Sequence, residues 1–188
     1  MVELTRIYTR TGDAGTTQLG DLSKTTKTDL RLRAYADVDE ANSHIGFAIS
    51  LKELPEDVHK LLTRVQNELF DVGADLSNPI QPDKQGLRID QEYIDRLEAS
   101  CDHYNADLEK LRSFILPGGT PTAAALHIAR TIVRRAERAA WAAIAEHGET
   151  MNVLTAQYLN RLSDLLFILT RYVNREHGDI LWVPGGDR

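Results

Sequence analysis

Apolar residues recur at spacings of three and four along most of this 188-residue chain, and this periodicity constrains the fold more than any other feature. Such spacing gathers apolar side chains on one face of a helix. The first stripe starts near Leu30 and ends before Pro55, and the second runs from about Glu56 to Asn78. The third follows Asp90, a plausible N-cap. The chain lacks the alternation of strands and helices that would indicate a parallel nucleotide-binding sheet.

Two more helices complete the pattern. Thr120 and Pro121 begin the fourth, because threonine caps a helix and proline suits its first position, and it runs to about Glu146. The last helix covers about 152–176, with Gly178 where a glycine cap is expected.

The chain is therefore predicted as one domain with three parts. Residues 1–29 are rich in Thr, Gly and Asp and read as a loop-like arm, with a short strand near Ile7 and Tyr8. Residues 30–177 form an all-α five-helix bundle of the up-and-down type, and residues 178–188 form an irregular tail. Trp182 in this tail is interpreted as a packing residue.

Charge and composition exclude several classes of function. A net charge of -6 argues against nucleic acid or an anionic membrane as partner, since both favour a basic surface. No apolar run predicts a membrane span, and the amino terminus lacks the apolar stretch of a signal peptide. The six histidines show no metal-ligand spacing with one another or with the single cysteine, Cys101, which fits a reducing compartment. We expect a cytoplasmic protein without a protein-built metal site.

The arm carries a segment rich in glycine and threonine between Tyr8 and Gln18. Glycines let backbone amides approach an anion and hydroxyls add donors, which suits phosphate. The segment is not a Walker loop, because the terminal Gly-Lys-Ser/Thr is missing. A flexible arm without a ligand is the alternative interpretation.

The fourth helix carries clustered arginines. Arg130, Arg134, Glu137 and Arg138 fall on one face, whereas Arg135 lies off that stripe. Guanidinium groups offer forked donors that suit phosphate, and like charges on one stripe repel unless an anion neutralises them. A solvated charged face or intersubunit salt bridges are the alternatives.

Two other polar clusters interrupt helices. Asp37, Asp39 and Glu40 could hold a metal, pair with the arginines or form an ordinary acidic turn. In the last helix, the polar run from Asn160 to Asp164 breaks an apolar pattern, and each buried polar group there needs a hydrogen-bond partner. A polar site and a structural network are both consistent with it.

Together these segments resemble the PduO-type ATP:corrinoid adenosyltransferases. The matching segments are 8–17, 34–43, 114–120, 129–138 and 159–164, and they occur in the family's order along nearly the whole chain. The chain departs from the family's usual residues at Ala14, Leu30, Ala36 and Ala41.

The resemblance implies a homotrimer of five-helix bundles that binds ATP at the junction of two subunits. It implies transfer of the adenosyl group of ATP, with Mg²⁺, to cob(I)alamin, and an electron-donating reductase as a further partner. The implied ATP contacts come from the arm, the arginine helix and the last helix: Thr9, Arg10, Thr11, Gly12, Thr17, Gln18, Lys27, Arg134, Arg135, Ala136, Glu137, Arg138 and Asn160.

The resemblance also implies four catalytic residues. Asp39 and Arg130 match an intersubunit salt bridge, Arg134 faces the leaving triphosphate, and Phe114 matches the aromatic residue that blocks the lower axial face of cobalt. Two other functions are weighed against this one. A non-enzymatic carrier of ATP or corrinoid would share the bundle, whereas a phosphotransferase is disfavoured by the missing Walker motif and sheet.

Overall fold

Five helices dominate the computed structural model, which describes residues 8–185. They are α1 (Leu30–Ser50), α2 (Glu56–Ser77), α3 (Gln91–Asn105), α4 (Pro121–His147) and α5 (Val153–Asn174). A single 3₁₀ turn, Gly148–Thr150, joins α4 to α5. The predicted all-α five-helix bundle is confirmed, and each helix begins within one residue of its predicted start.

Side-chain caps fix where the helices begin. Asp29, Asp90, Thr120 and Asn152 each accept a hydrogen bond from a backbone amide in the first turn of the helix that follows. These bonds satisfy amides that the helix itself leaves without partners. Gly148 ends α4 with a φ of 55°, a conformation that favours glycine.

Helix α4 lies between α1 and α5 and positions the arginine cluster. Helix α2 packs against α1, and α3 packs against α5. The inner surface of α4 is built from small residues with no solvent exposure, including Ala123, Ala129, Ala136, Ala140 and Ala143. Small side chains let neighbouring helices approach closely, and the dense packing holds the polar edge of α4 in one orientation.

The arm contains a short antiparallel hairpin. Its strands are β1 (Thr16–Gln18) and β2 (Lys24–Thr26). The predicted strand near Ile7 and Tyr8 is wrong for Tyr8, which lies outside the two strands, and Ile7 lies outside the described residues. A strand needs a paired edge, which β1 and β2 give each other across a tight turn.

Hydrogen bonds fasten this hairpin to the bundle. The Gly20 amide donates to the Ser77 carbonyl at 2.9 Å, at the end of α2. The Thr25 hydroxyl donates to Asp29 Oδ2 at 2.6 Å, and Asp29 Oδ1 lies 2.8 Å from His147 Nε2. The cap of α1 therefore also joins the arm to the end of α4.

Candidate active site

Arg130 is a half-buried cation between α4 and α5. Its guanidinium carbon lies 6.0 Å from the centre of the Phe167 ring, and its Nε is buried without a hydrogen-bond partner among residues 8–185. Burial lowers the pKa of Arg130, and the nearby charge of Arg134 lowers it further. A buried donor without a partner is costly, so Arg130 Nε is open to an acceptor that residues 8–185 do not supply.

A cleft of about 220 Å³ opens beside these two arginines. It lies between α4 and α5 and is lined by Arg130, Arg134, Ser163, Asp164, Phe167 and Ile168. The fold thus brings the arginine helix next to the polar run of α5. Phe167 and Ile168 add an apolar wall to the cleft. They could not be recognised from the sequence, because apolar residues in this helix are also what an ordinary core requires.

The polar run of α5 divides into two roles. Asn160 Nδ2 donates to Glu137 Oε1 at 3.2 Å, so Asn160 belongs to the same polar edge as the arginines. Arg161 instead bonds to Glu98 of α3 at 3.0 Å and to Asp164 at 3.1 Å. That pairing ties α5 to α3 and is structural.

The acidic turn of α1 faces the arginine that lies off the stripe. Arg135 Nε is 3.4 Å from Asp37 Oδ1, and a second nitrogen of Arg135 hydrogen-bonds to Glu40. The Asp39 carboxylate makes no hydrogen bond or ion pair within the described part of the chain. Arg130 and Asp39 therefore do not pair with each other within the chain.

Several arm residues that the resemblance implies as ATP contacts lie in one compact loop. The Lys27 amide donates to the Gly15 carbonyl at 2.9 Å, and the Gly15 amide donates to the Gly12 carbonyl at 3.2 Å. A Cβ on Gly12 would stand 3.0 Å from Lys27 Nζ, so the lysine packs directly over this glycine. Thr9 and Thr11 share a hydrogen bond of 2.9 Å between their hydroxyls.

A second cleft, of about 640 Å³, lies between the hairpin of the arm and helices α1 and α2. Gln18 of the arm and Asp39 of α1 both line it, together with Tyr35 and Phe70. No hydrogen bond or ion pair joins residues 9–29 of the arm to Arg130, Arg134 or Arg138. The chain thus carries two separate polar surfaces, the arm with Asp39 and the arginine edge of α4.

Phe114 is an exposed apolar side chain, with 79% of its surface accessible. Its ring stands 6.3 Å from that of Trp182, in an edge-to-face arrangement. Trp182 does pack, as interpreted from the sequence, but its partner is a predicted site residue.

The remaining residues that the resemblance implies lie on the same two surfaces. Arg138 is exposed one turn beyond Arg134, and Arg10 and Thr17 belong to the arm. Ala136 is fully buried between Arg135 and Glu137, so only its neighbours present side chains at the surface.

The family profile described as cobalamin adenosyltransferase matches residues 7–173 of the chain. The chain belongs to this family. Its predicted resemblance is confirmed, and the reaction is adenosyl transfer from ATP to a corrinoid. Within residues 8–185, no helix of this adenosyltransferase is both long and apolar enough to cross a membrane.

Two relatives match almost the whole length of this adenosyltransferase. A corrinoid adenosyltransferase of Mycobacterium tuberculosis is 61% identical over 189 residues, which is 100% of this chain and 97% of the relative. The corrinoid adenosyltransferase of Bacillus subtilis is 42% identical over 176 residues, 92% of this chain and 89% of that protein.

Solved structures share the fold. A variant of the PduO-type ATP:corrinoid adenosyltransferase of Lactobacillus reuteri, complexed with cobalamin and ATP, superposes with a TM-score of 0.87 at 36% identity, covering 94% of this chain and 99% of that one. A second variant, complexed with ATP, gives a TM-score of 0.86 and covers 95% of this chain and 100% of that one.

Proposed function

We propose that this adenosyltransferase joins cob(I)alamin to the 5′ carbon of ATP at a site shared by two subunits. The reduced cobalt supplies the electron pair, the Co–C bond forms, and the C5′–O bond breaks with release of triphosphate. The protein then needs no nucleophile of its own and supplies position and electrostatics. The observation that carries the proposal is the separation of the arm and Asp39 from the arginine edge within one protomer.

We treat these two surfaces as half-sites that complement each other chemically. Arg130 has a buried Nε donor without a hydrogen-bond partner among residues 8–185, and the exposed carboxylate of Asp39 makes no ion pair there. An intersubunit salt bridge between them would give the buried donor an acceptor and set the arm of one subunit against α4 of the next. Phe47, Ile128 and Trp141 are exposed apolar side chains on α1 and α4, as expected of surfaces that a homotrimer buries.

The leaving triphosphate gains negative charge as the C5′–O bond breaks. Arg134 and Arg138 of one subunit, with Lys27 from the arm of its neighbour, are proposed to stabilise that charge. The arm's amides, with the side chains of Thr9, Arg10, Thr11, Thr17 and Gln18, would hold ATP in line with the cobalt. Asn160 and Glu137 would complete the edge of the nucleotide site.

Mg²⁺ is proposed to enter with the nucleotide. Residues 8–185 contain no group of three or more His, Cys, Asp or Glu side chains arranged to hold a metal. Magnesium usually keeps several waters and binds substrate phosphates with one or two carboxylates, so the ion would be held mainly by the triphosphate. Its chemical contribution would be to neutralise the growing charge on the leaving group.

Phe114 is proposed to shield the lower face of the corrinoid. Its exposed ring is large and apolar, and such a ring beneath cobalt excludes water and the corrinoid's own base. Losing that ligand makes cob(II)alamin easier to reduce to cob(I)alamin, with electrons from a separate reductase. The single partly buried cysteine, Cys101, fits a reducing cytoplasm as the location of this chemistry.

Product identification tests this function. The protein is incubated with ATP, Mg²⁺ and chemically reduced cobalamin, and we expect adenosylcobalamin and triphosphate in equal amounts. Release of ADP would instead identify a phosphotransferase. Binding of either substrate without any turnover would identify a carrier.

A further inference from the structure

The tail beyond α5 is paired with the loop that carries Phe114. The Trp182 amide donates to the Phe114 carbonyl at 2.7 Å, and the Leu116 amide donates to the Ile180 carbonyl at 2.8 Å. The Ser113 hydroxyl adds a bond of 3.0 Å to the Trp182 carbonyl. These three bonds hold the two segments together on both sides of Phe114.

A salt bridge anchors the base of this tail. Arg171 Nε lies 2.9 Å from Asp179 Oδ2, and the two side chains are only 9% and 17% exposed. Arg171 also donates a hydrogen bond to the Glu109 carbonyl at 2.8 Å. One side chain therefore binds both the tail and the segment that precedes the Phe114 loop. Because it is shielded from water, this pair holds its geometry better than an exposed one.

Asn174 adds a second anchor. Its Nδ2 donates to the Gly178 carbonyl at 2.7 Å, and its Oδ1 accepts from the Thr120 amide at 3.0 Å. The last turns of α5 therefore hold both the tail and the C-terminal end of the Phe114 loop.

The exposed ring itself has little else to fix it. Trp182 is the one aromatic ring against Phe114 among residues 8–185, and its own surface is 44% accessible. A side chain that excludes water from a reacting metal has to be held within about 0.5 Å by its surroundings. Here that support comes from the hydrogen bonds between the tail and the Phe114 loop, and from the Trp182 ring.

We infer that the Arg171–Asp179 pair latches the tail against the Phe114 loop, and that Asp179 and Trp182 are positioning residues for the corrinoid half of the reaction. The inference rests on the proposed role of Phe114. Asp179 and Trp182 act through Phe114 and leave the nucleotide half untouched. The bundle does not need the latch, because the core of α5 from Leu159 to Leu169 is already buried.

Three variants of the full-length protein test this inference: Asp179→Asn, Trp182→Ala and Trp182→Phe. Bound cob(II)alamin is examined by electron paramagnetic resonance with ATP present, because the spectrum reports whether cobalt has a lower axial ligand. We expect Asp179→Asn and Trp182→Ala to raise the fraction of ligated cobalt and to lower kcat by about tenfold, with KM for ATP unchanged. Trp182→Phe keeps an aromatic ring, so its fraction of ligated cobalt and its kcat should stay closer to those of the wild type than the values of Trp182→Ala do.

Glu98→Gln is the matched control, since it also removes a carboxylate paired with an arginine of α5 but lies outside the tail. It should leave the spectrum and kcat unchanged. Phe114→Ala separates the two hypotheses. If Phe114→Ala shifts the spectrum but neither Asp179→Asn nor Trp182→Ala does, the latch is wrong. If Phe114→Ala leaves the spectrum unchanged, the proposed role of Phe114 fails first. Should Asp179→Asn not fold, Trp182→Ala alone decides.

Discussion

Arg135 Nε lies 3.4 Å from Asp37 Oδ1, so the arginine that binds the acidic turn of α1 within a protomer is the one off the helical stripe. Neither Arg130 nor Asp39 forms an ion pair with another residue among residues 8–185. The three arginines of the stripe, Arg130, Arg134 and Arg138, form no ion pair with a carboxylate of α1 and remain a basic edge. The proposed intersubunit site depends on this difference between Arg135 and the other three arginines.

Coupling between Arg130 and Asp39 can be measured by a double-mutant cycle. Arg130→Ala and Asp39→Ala should each impair assembly or activity, and the double variant should be no worse than either single variant, because both remove one shared interaction. Sedimentation and turnover are followed together. Strictly additive losses would show that the two residues do not interact.

Loss of a forked donor on the arginine edge should weaken the use of ATP. We expect Arg134→Ala or Arg138→Ala to lower kcat/KM for ATP. The loss of transition-state stabilisation should be roughly 1.5–3 kcal/mol, the scale of a hydrogen bond to a charged group. Arg175→Ala is the control, since Arg175 is an exposed arginine that stacks on Tyr172 at the far end of α5. Normal turnover by the Arg134 and Arg138 variants would remove both residues from the site.

Phe114→Ala should affect the corrinoid half of the reaction far more than the nucleotide half. The variant loses an apolar ring that has few protein contacts, so its folding should be little changed. ATP binding by calorimetry and adenosylation of cobalamin are compared in one preparation. Equal losses in the two measurements would contradict a role at the cobalt.

Gly119 is predicted to be intolerant of substitution. Its φ is +96°, and a Cβ there would stand 2.4 Å from Asn174 Oδ1. Gly119→Ala should therefore destabilise the protein by roughly 1–3 kcal/mol and displace the nearby loop. Gly118→Ala is the matched control, because no atom beyond the adjoining residues would lie within 4 Å of its Cβ. Similar denaturant midpoints for the two variants would refute the strain.

The Asp29 carboxylate should make the free energy of unfolding depend on pH in the acidic range. Burial alone would raise the pKa of Asp29, but hydrogen bonds from Thr25, the Arg31 amide and His147 outweigh it and hold the pKa below its ordinary value. The folded carboxylate binds its proton less readily than the unfolded one, so this stability is complete above a pH of about 4 and is lost as pH falls through the folded pKa. Asp29→Asn keeps the cap but loses the charge.

Denaturant unfolding of both proteins from neutral to acid pH measures this effect. The wild-type advantage over Asp29→Asn should be constant near neutrality and shrink as the solution becomes acidic. A difference that does not change with pH would assign Asp29 a purely neutral capping role.

The helices were predictable because their signals are local. Apolar spacing, Asp90, and the Thr120–Pro121 pair each act within a few residues, and all of them lie where predicted. The hairpin of the arm was not, because its threonines and lysines carry no apolar alternation. Its position depends on distant partners such as Ser77.

The candidate site was predictable only in part, for a related physical reason. Helical spacing places Arg130, Arg134 and Arg138 on one face, but it cannot show that Arg135 takes the acidic turn. Contacts that join distant parts of the chain, such as those between Trp182 and Phe114, leave no periodic signal. Residue chemistry and the family's motifs identified the segments, and the fold determined how they meet.

Subunit complementation tests the shared site most directly. Lys27→Ala damages the arm half and Arg134→Ala damages the arginine half, so each parent protein should keep only a small fraction of wild-type activity. After the two are unfolded together and refolded in equal amounts, random mixing gives about a quarter of the interfaces two intact halves. The mixture should recover about that share of wild-type adenosylcobalamin formation, whereas a mixture of Arg134→Ala with Arg138→Ala should stay at the level of its parents. No gain over the parents in the first mixture would contradict a site built from two subunits.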